Sequence, residues 1–453
     1  MSPSFIIIIV VAGVAMLLLM VLKFKLSAFI SLLITSIFVG VMAGMPLNDI
    51  TASIQEGMGG TLGFVATVVG LGAIFGQMLE SSGGARSLAN YLLKKFGMNK
   101  ASWALMLTGF IIGIPVFLDV GLIILIPIVY ALSRDTKRSL LFYSIPLLAG
   151  LAATHTMVPP TPGPVAVADI LGIELGWVVI FGLAIGLPSA IIAGPIFGRF
   201  IAKKIFVPVP EILQEVKSGS PDKSSVKPPS FGIIALIICI PLLLILMSTF
   251  IRLGVDKMIL RESFLTELLI FIGHPFTALI LATLCSILLC LKQKMTGQNI
   301  LELSTKALGP AGIIILVTGA GGVLKQILVD SGIGKILAES IAGSSFPVIA
   351  LAWLLAATVR ITQGSATVAM ITAAGIMAPI IDLLNPGEAN VALIVIAIGA
   401  GATILSHVND SGFWIVSKYL GMNEKQTLRS WTVMETIISV SGLAFAMLFS
   451  LFL

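Results

Sequence analysis

Long apolar runs recur through the whole chain and constrain its fold more than any other feature. The stretch "VALIVIAIGAGATILS" at 391–406 is typical of them. A helix needs roughly 20 such residues to cross a hydrocarbon core about 30 Å thick. Only 11% of the 453 residues are charged, whereas soluble domains carry about 25%. Strands that alternate in polarity, as an outer-membrane barrel requires, are absent from the sequence. The sequence therefore predicts an all-α polytopic membrane protein.

The spacing of the apolar runs predicts about ten full spans, two re-entrant helical hairpins and two broken helices. The spans are expected near 5–22, 26–45, 61–79, 139–171, 175–198, 231–250, 275–291, 310–328, 390–420 and 431–452. The first run has no basic leader and no Ala-x-Ala cleavage site, so we interpret it as a retained span rather than a signal peptide.

The basic residues indicate the topology. Most of the 27 Lys and Arg residues fall on one side of these spans, and the positive-inside rule makes that side cytoplasmic. Both termini are then expected outside. The net charge of +6 therefore reflects membrane orientation, and it does not indicate a nucleic-acid partner.

The sequence predicts two related halves joined by a polar linker. Residues 205–230, rich in Pro, Ser and Lys, are interpreted as a cytoplasmic linker between a first repeat, 1–204, and a second, 231–453. The stretch "GLGAIFGQMLESSGGARSLA" from Gly70 aligns with "GAGGVLKQILVDSGIGKILA" from Gly319, an offset of 249 residues. An odd number of spans in each half makes the repeats inverted. Inverted repeats with broken helices are typical of secondary transporters.

Four segments are expected to interrupt their helices at membrane depth. Residues 102–132 would form a helix about 46 Å long if straight, so Pro115 and Asp119 near the middle favour a hairpin. Residues 347–381 repeat this pattern around "RITQGSAT". The next span of each half is broken, by "THTMVPPTPGP" within 139–171 and by "HVNDSGFW" within 390–420. Non-helical backbone at this depth survives only where protein or a water-filled cavity receives its polar groups.

Such breaks bring helix N-termini together, and these favour a carboxylate or phosphate. Gly364 allows close backbone approach, while Ser365 and Thr367 can cap the second arm and donate to ligand oxygens. Arg360 either pairs with a bound anion directly or serves as the structural partner of a neighbouring carboxylate or of carbonyl groups.

Acidic and imidazole groups in apolar surroundings are the candidates for ion coupling. Asp119 and Asp410 are favoured because each stands at a break, whereas Asp169 and Glu435 are interpreted as helix-end or packing groups. His155 and His407 either bind substrate and shuttle protons or make structural hydrogen bonds.

Enzyme and channel functions are less consistent with the sequence. No His-Glu-x-x-His zinc motif and no Gly-x-Ser-x-Gly elbow is present. The cysteines Cys239, Cys285 and Cys290 lack metal-ligand spacing, so we expect no metal and no cofactor. A channel would also need polar hairpin tips, but buried carboxylates favour a coupled transporter.

Several segments together resemble the gluconate permease family over nearly the whole chain. They are "GGTLGFVATVVGLGAIFGQMLESSGGA", "PPTPGP", "GSATVAMITAAGIMAP", "SHVNDSGFW" and "SWTVMETIISVSGL". The resemblance implies a bacterial inner-membrane symporter that imports gluconate or a related sugar acid with protons. It also implies a homodimer that works by an elevator mechanism. The positions that match the family's site segments are Asp119, Thr154, His155, Pro159, Pro160, Thr161, Gly364, Ser365, Thr367, His407, Asn409 and Asp410.

Two departures from the family pattern leave the substrate open. The resemblance implies Glu where Asp119 stands, and His where Thr161 stands. We expect Thr161, Ser365 and Asn409 to bond substrate hydroxyls, and Asp119 or Asp410 to carry the proton. Glycerate, D-serine or another hydroxycarboxylate, and sodium in place of protons, stay open as alternatives.

Overall fold

The computed structural model describes residues 3–210, 229–342 and 346–453. These residues form helices and their connecting segments, without any strand. This confirms the predicted all-α fold. The predicted linker falls mostly on 211–228, which lie outside the described residues. Within the described ranges, eight helices are long and apolar enough to cross a membrane.

In the described part of the first half, residues 3–204, there are ten helices, with a short 3₁₀ turn at Met98–Lys100 and a π-helical turn at Ile192–Ile196. The helices are α1 Pro3–Leu22, α2 Ala28–Met42, α3 Leu47–Ser81, α4 Gly84–Phe96, α5 Ala101–Ile112, α6 Leu118–Thr136, α7 Leu141–Met157, α8 Pro162–Ile170, α9 Leu175–Ile191 and α10 Phe197–Lys204.

The second half repeats this order and adds a short helix after its first span. Its helices are α11 Phe231–Asp256, α12 Phe264–Gly273, α13 Pro275–Lys292, α14 Gly297–Asp330, α15 Ile333–Ala342, α16 Val348–Gln363, α17 Ala366–Leu384, α18 Glu388–Gly401, α19 Ser411–Leu420 and α20 Glu424–Ser450.

The equivalent long helices α3 and α14 pack against each other in antiparallel fashion. Ser53, near the start of α3, donates a hydrogen bond of 2.5 Å to Asp330 at the end of α14. A Cβ on Gly70, further along α3, would lie 3.7 Å from the side chain of Leu308, near the start of α14. Small residues at such a crossing let two backbones approach closely. Inversion of the two halves requires this antiparallel direction, and the inversion itself stays a prediction.

Both long helices extend well beyond the predicted spans 61–79 and 310–328. α3 has 35 residues and α14 has 34. The added turns of α3 expose polar residues such as Asn48 and Glu56 while burying Ile50 and Ser53. A hydropathy criterion detects only the fully apolar part of a helix, so it misses an amphipathic extension.

Each half contains the two expected kinds of interruption. α5 and α6 are separated by 113–117, and α16 and α17 by Gly364 and Ser365. α7 and α8 are separated by 158–161, and α18 and α19 by 402–410. Thr403, in the second broken helix, donates a 2.9 Å hydrogen bond to Thr156 at the end of α7. The two broken helices therefore meet each other.

Candidate functional site

A cavity of about 460 Å³ lies where the two hairpin turns meet the second broken helix. Its walls come from the start of α6, α7, α14, the α16–α17 turn, the start of α19, and α20. The cavity is large enough for a small organic molecule. Among the residues proposed from the sequence, it brings together Asp119, His155, Arg360, Gly364, Ser365, Thr367, Asn409 and Asp410.

Three helices direct their N-termini toward this cavity. Their first-turn residues form part of the lining: 118–120 of α6, Ala366 and Thr367 of α17, and Ser411 and Gly412 of α19. The first N–H groups of a helix lack intrahelical acceptors. These termini therefore supply hydrogen-bond donors and partial positive charge, and both favour a bound anion.

A buried ion pair joins the second hairpin to the second broken helix. Nη2 of Arg360 donates to Oδ2 of Asp410 at 2.6 Å, and the two side chains are 4% and 11% exposed. Nη1 of the same guanidinium donates to the carbonyl of Gly364. Asp410 also accepts from Ser406 and from the backbone N–H of Gly412, 2.9 Å away, which makes it the N-cap of α19. Arg360 thus serves as the structural partner while it remains part of the cavity wall.

The cavity wall also contains buried polar atoms without hydrogen-bond partners among the described residues. These are Nδ1 of His155, Nε of Arg360, Oε1 of Gln363 and Oε1 of Glu435. Buried polar groups in proteins are nearly always paired, and each exception calls for an explanation. A polar ligand that supplies both donors and acceptors would explain all four together.

Two of the polar residues in "HVNDSGFW" fasten the second hairpin. Nε2 of His407 lies 2.9 Å from the carbonyl oxygen of Ile361, and the Asn409 amide donates to Ile361 and Thr362 at 3.0 and 3.2 Å. These carbonyls belong to the last turn of α16, where no intrahelical donor is available. Asn409 still lines the cavity, whereas His407 does not. His407 therefore links the second broken helix to the last turn of α16 by a hydrogen bond.

Thr154 and Thr161, which match the family's site segments, do not line the cavity. A contact of either residue with substrate stays a prediction. The hydroxyl of Thr161 donates to the carbonyl of Val158 at 2.6 Å, and that of Thr154 donates to Gly150 at 3.0 Å. Both side chains are buried, at 4% and 0% exposure. Each hydroxyl is therefore bonded to a backbone carbonyl of its own segment. The Pro159–Pro160 peptide bond within that break is cis.

Two lining residues with unpartnered buried oxygen atoms are absent from the site residues proposed from the sequence. Gln363 lies in the run "RITQGSAT" of the second hairpin but is not among the residues predicted to bind substrate. Glu435 is interpreted from the sequence as a helix-end or packing group. Glu435 lies in the middle of α20, is 4% exposed and faces the cavity. It lies in an uninterrupted helix, and the sequence signal for site residues comes from helix breaks, so the sequence gives no such signal at this position.

A second, smaller cavity of about 260 Å³ contains Asp169 and His274. It also contains an ion pair between Arg252 and Glu174, 3.0 Å apart, with side chains 45% and 30% exposed. Nδ1 of His274 accepts from the N–H of Phe276, which caps α13. These residues therefore form a separate group from the main cavity.

Known proteins are similar to this chain in sequence and in fold. The profile of the GntP family permeases matches residues 5–452. The low-affinity gluconate transporter of Escherichia coli K12 is 41% identical over 433 residues, covering 95% of each chain. The gluconate permease of Pseudomonas aeruginosa is 41% identical over 439 residues, covering 96% of each chain.

A solved structure with low sequence identity has a similar fold. The YdaH transporter of Alcanivorax borkumensis superimposes with a TM-score of 0.64 at 13% identity, covering 94% of this chain and 98% of that one. The likeness concerns the fold alone. The matched profile and the relatives are those of permeases, not of enzymes, and the helices make this a multi-pass membrane protein. The chain belongs to the GntP permease family.

Proposed function

We propose that this protein is a secondary active transporter that imports gluconate, or a related small sugar acid, together with protons across a bacterial inner membrane. The observation that carries the proposal is the 460 Å³ cavity, in which three helix N-termini and Arg360 surround unpartnered polar atoms. Relatives at 41% identity are named as gluconate carriers, which favours gluconate as the first substrate.

The carboxylate of the substrate fits the positive end of this cavity. The first turns of α6, α17 and α19 offer N–H donors, and the Nε of Arg360 has no other acceptor among the described residues. Charge-assisted hydrogen bonds of this kind are about twice as strong as neutral ones. The carboxylate is therefore expected beside Arg360 and the α16–α17 turn.

The hydroxyl groups of a sugar acid fit the rest of the wall. Ser365, Thr367 and Asn409 can exchange hydrogen bonds with them, and Oε1 of Gln363 is a buried acceptor without a donor. A site built to bond hydroxyl groups rejects analogues that lack them, because its own polar atoms then stay unpaired. Thr161 leaves this set, since its hydroxyl is already bonded to the backbone.

Coupling to protons is supported by the charge of the cavity. Asp119, Asp410 and Glu435 face one guanidinium, that of Arg360. An entering anion adds a fourth negative group, so uptake of a proton by one carboxylate makes binding more favourable. Alternating access of the elevator type, in a homodimer with inverted repeats, completes the proposal. It is supported by paired hairpins that pack on the broken helices of both halves.

The test uses purified protein in sealed liposomes with radiolabelled gluconate. An acidic exterior is expected to drive accumulation of the label, while a sodium gradient alone does not. Unlabelled gluconate should block uptake, and hexanoate, a carboxylate without hydroxyl groups, should not compete. Accumulation driven only by sodium would contradict proton coupling. Failure to take up gluconate, with competition by glycerate or D-serine for a bound probe, would move the substrate within the carrier class.

A further inference from the structure

Among the described residues, three carboxyl groups line the main cavity, and their surroundings differ sharply. Asp410 is held by Arg360, Ser406 and the N–H of Gly412, so its charge is compensated. Asp119 is exposed, in the first turn of α6, where the helix dipole stabilises a carboxylate. Each of these two carboxyl groups thus has a favourable surrounding. Glu435 is different, being 4% exposed with Oε1 unpartnered among the described residues.

A buried carboxylate without a partner is costly, whereas the neutral acid is tolerated. We infer that Glu435 is the group that takes up the proton coupled to substrate transport. This inference rests on the proposed function and assigns the proton to a residue outside the helix breaks. The neutral acid crosses the membrane together with the bound substrate, and it gives up its proton to the cytoplasm after substrate release.

The charged groups around Glu435 are consistent with this role. α20 packs against α7, α9, α16, α18, α19 and the π-helical turn. α9 and the π-helical turn contain no ionisable side chain. Glu388 of α18 and Lys418 of α19 are exposed, and Glu388 accepts from Trp177. The ionisable groups that share the cavity with Glu435 are His155 on α7, Arg360 on α16, Asp410 before α19 and Asp119 on α6.

Hydrogen bonds connect the helix of Glu435 to the ion pair. Trp431, one turn before Glu435 on α20, donates at 2.7 Å to Ser406, and Ser406 donates to Asp410. Thr432 donates to the carbonyl of Ser406. A shift of the Arg360–Asp410 pair toward a bound carboxylate would therefore be transmitted to the turn that precedes Glu435.

The test compares Glu435→Gln with Glu435→Asp and with Glu80→Gln in liposomes. Glu80 is a half-buried carboxyl on α3, bonded to Gln77 at 3.1 Å and absent from the cavity lining. A gradient of one pH unit can drive about tenfold accumulation for one coupled proton. Glu435→Gln should lose this accumulation entirely, while exchange of labelled for unlabelled gluconate persists at a rate independent of pH. Glu435→Asp and Glu80→Gln should keep pH-driven accumulation.

A second measurement does not depend on transport. In weakly buffered detergent at an alkaline pH that ionises Glu435 in the substrate-free protein, the wild-type protein should take up about one proton per site when gluconate is added, and the Glu435→Gln protein should take up none. Concentrative, pH-driven uptake by Glu435→Gln would overturn the inference and leave the proposed function intact. Loss of pH-driven accumulation in Asp119→Asn, with accumulation kept in Glu435→Gln, would also overturn the inference and leave the proposed function intact. A wild-type protein that neither exchanges nor accumulates gluconate would instead overturn the proposed function.

Discussion

Replacing Arg360 with methionine should abolish gluconate binding and lower the free energy of unfolding by about 3–5 kcal/mol. The guanidinium is 4% exposed and bonds both Asp410 and the carbonyl of Gly364. Removing it leaves the buried Asp410 carboxylate without a cationic partner and the carbonyl of Gly364 without this donor. Among the described residues it also removes the one Lys or Arg side chain that lines the cavity. Isothermal calorimetry and thermal unfolding of the purified protein in detergent measure the two effects.

Two control variants separate the structural part from the binding part. The combination of Arg360→Met with Asp410→Asn removes both charges of the buried pair, and Asn still caps α19 about as well as Asp does. This double variant should regain most of the stability but no gluconate binding. Arg252→Met breaks an exposed pair with Glu174 and should cost at most about 1 kcal/mol. Gluconate binding by the double variant at wild-type affinity would contradict the role of Arg360.

Replacing Gly364 with alanine should reduce gluconate uptake at least as severely. Gly364 has φ +83°, and a Cβ there would collide with the backbone carbonyl of Asn409. The left-handed conformation costs any residue with a side chain about 1–2 kcal/mol. In addition, the collision would displace Asn409 and the segment that precedes α19. Since the α17 and α19 termini both line the cavity, we expect loss of uptake in the liposome assay.

Gly387 provides the matched control. Its φ is +82°, nearly that of Gly364, but no atom lies within 4 Å of the Cβ that alanine would add. Gly387→Ala should therefore carry only the backbone strain and retain uptake. Equal losses in the two variants would show that strain alone matters, and would contradict the importance of the close approach between Gly364 and Asn409.

The fold could be predicted from the sequence wherever one strong physical signal acts alone. Apolar length located the spans, and prolines located the break at 158–161. The amphipathic ends of α3 and α14 could not be found in this way, because their polar residues resemble loop residues when hydropathy is averaged. Their helical state depends on packing between the two helices, which involves residues far apart in sequence.

The cavity was predicted only where its residues interrupt helices. Asp119, Arg360 and Asp410 stand at or beside breaks, and the structure brings them together. Glu435 lies on a continuous helix, and only the three-dimensional packing of α20 shows that its carboxyl faces the same space. Thr161 is the opposite case. It stands at a break, but its hydroxyl donates to the carbonyl of Val158 and it does not line the cavity.

The central claim is that the substrate binds in the main cavity. A cryo-electron microscopy structure of the protein with gluconate tests this location most directly. We expect density in the 460 Å³ cavity, with the carboxylate beside Arg360 and the first turns of α6, α17 and α19. The hydroxyl groups should lie toward Gln363 and Asn409. Gluconate density in the second cavity, beside Arg252 and His274, with the first cavity empty, would contradict the account.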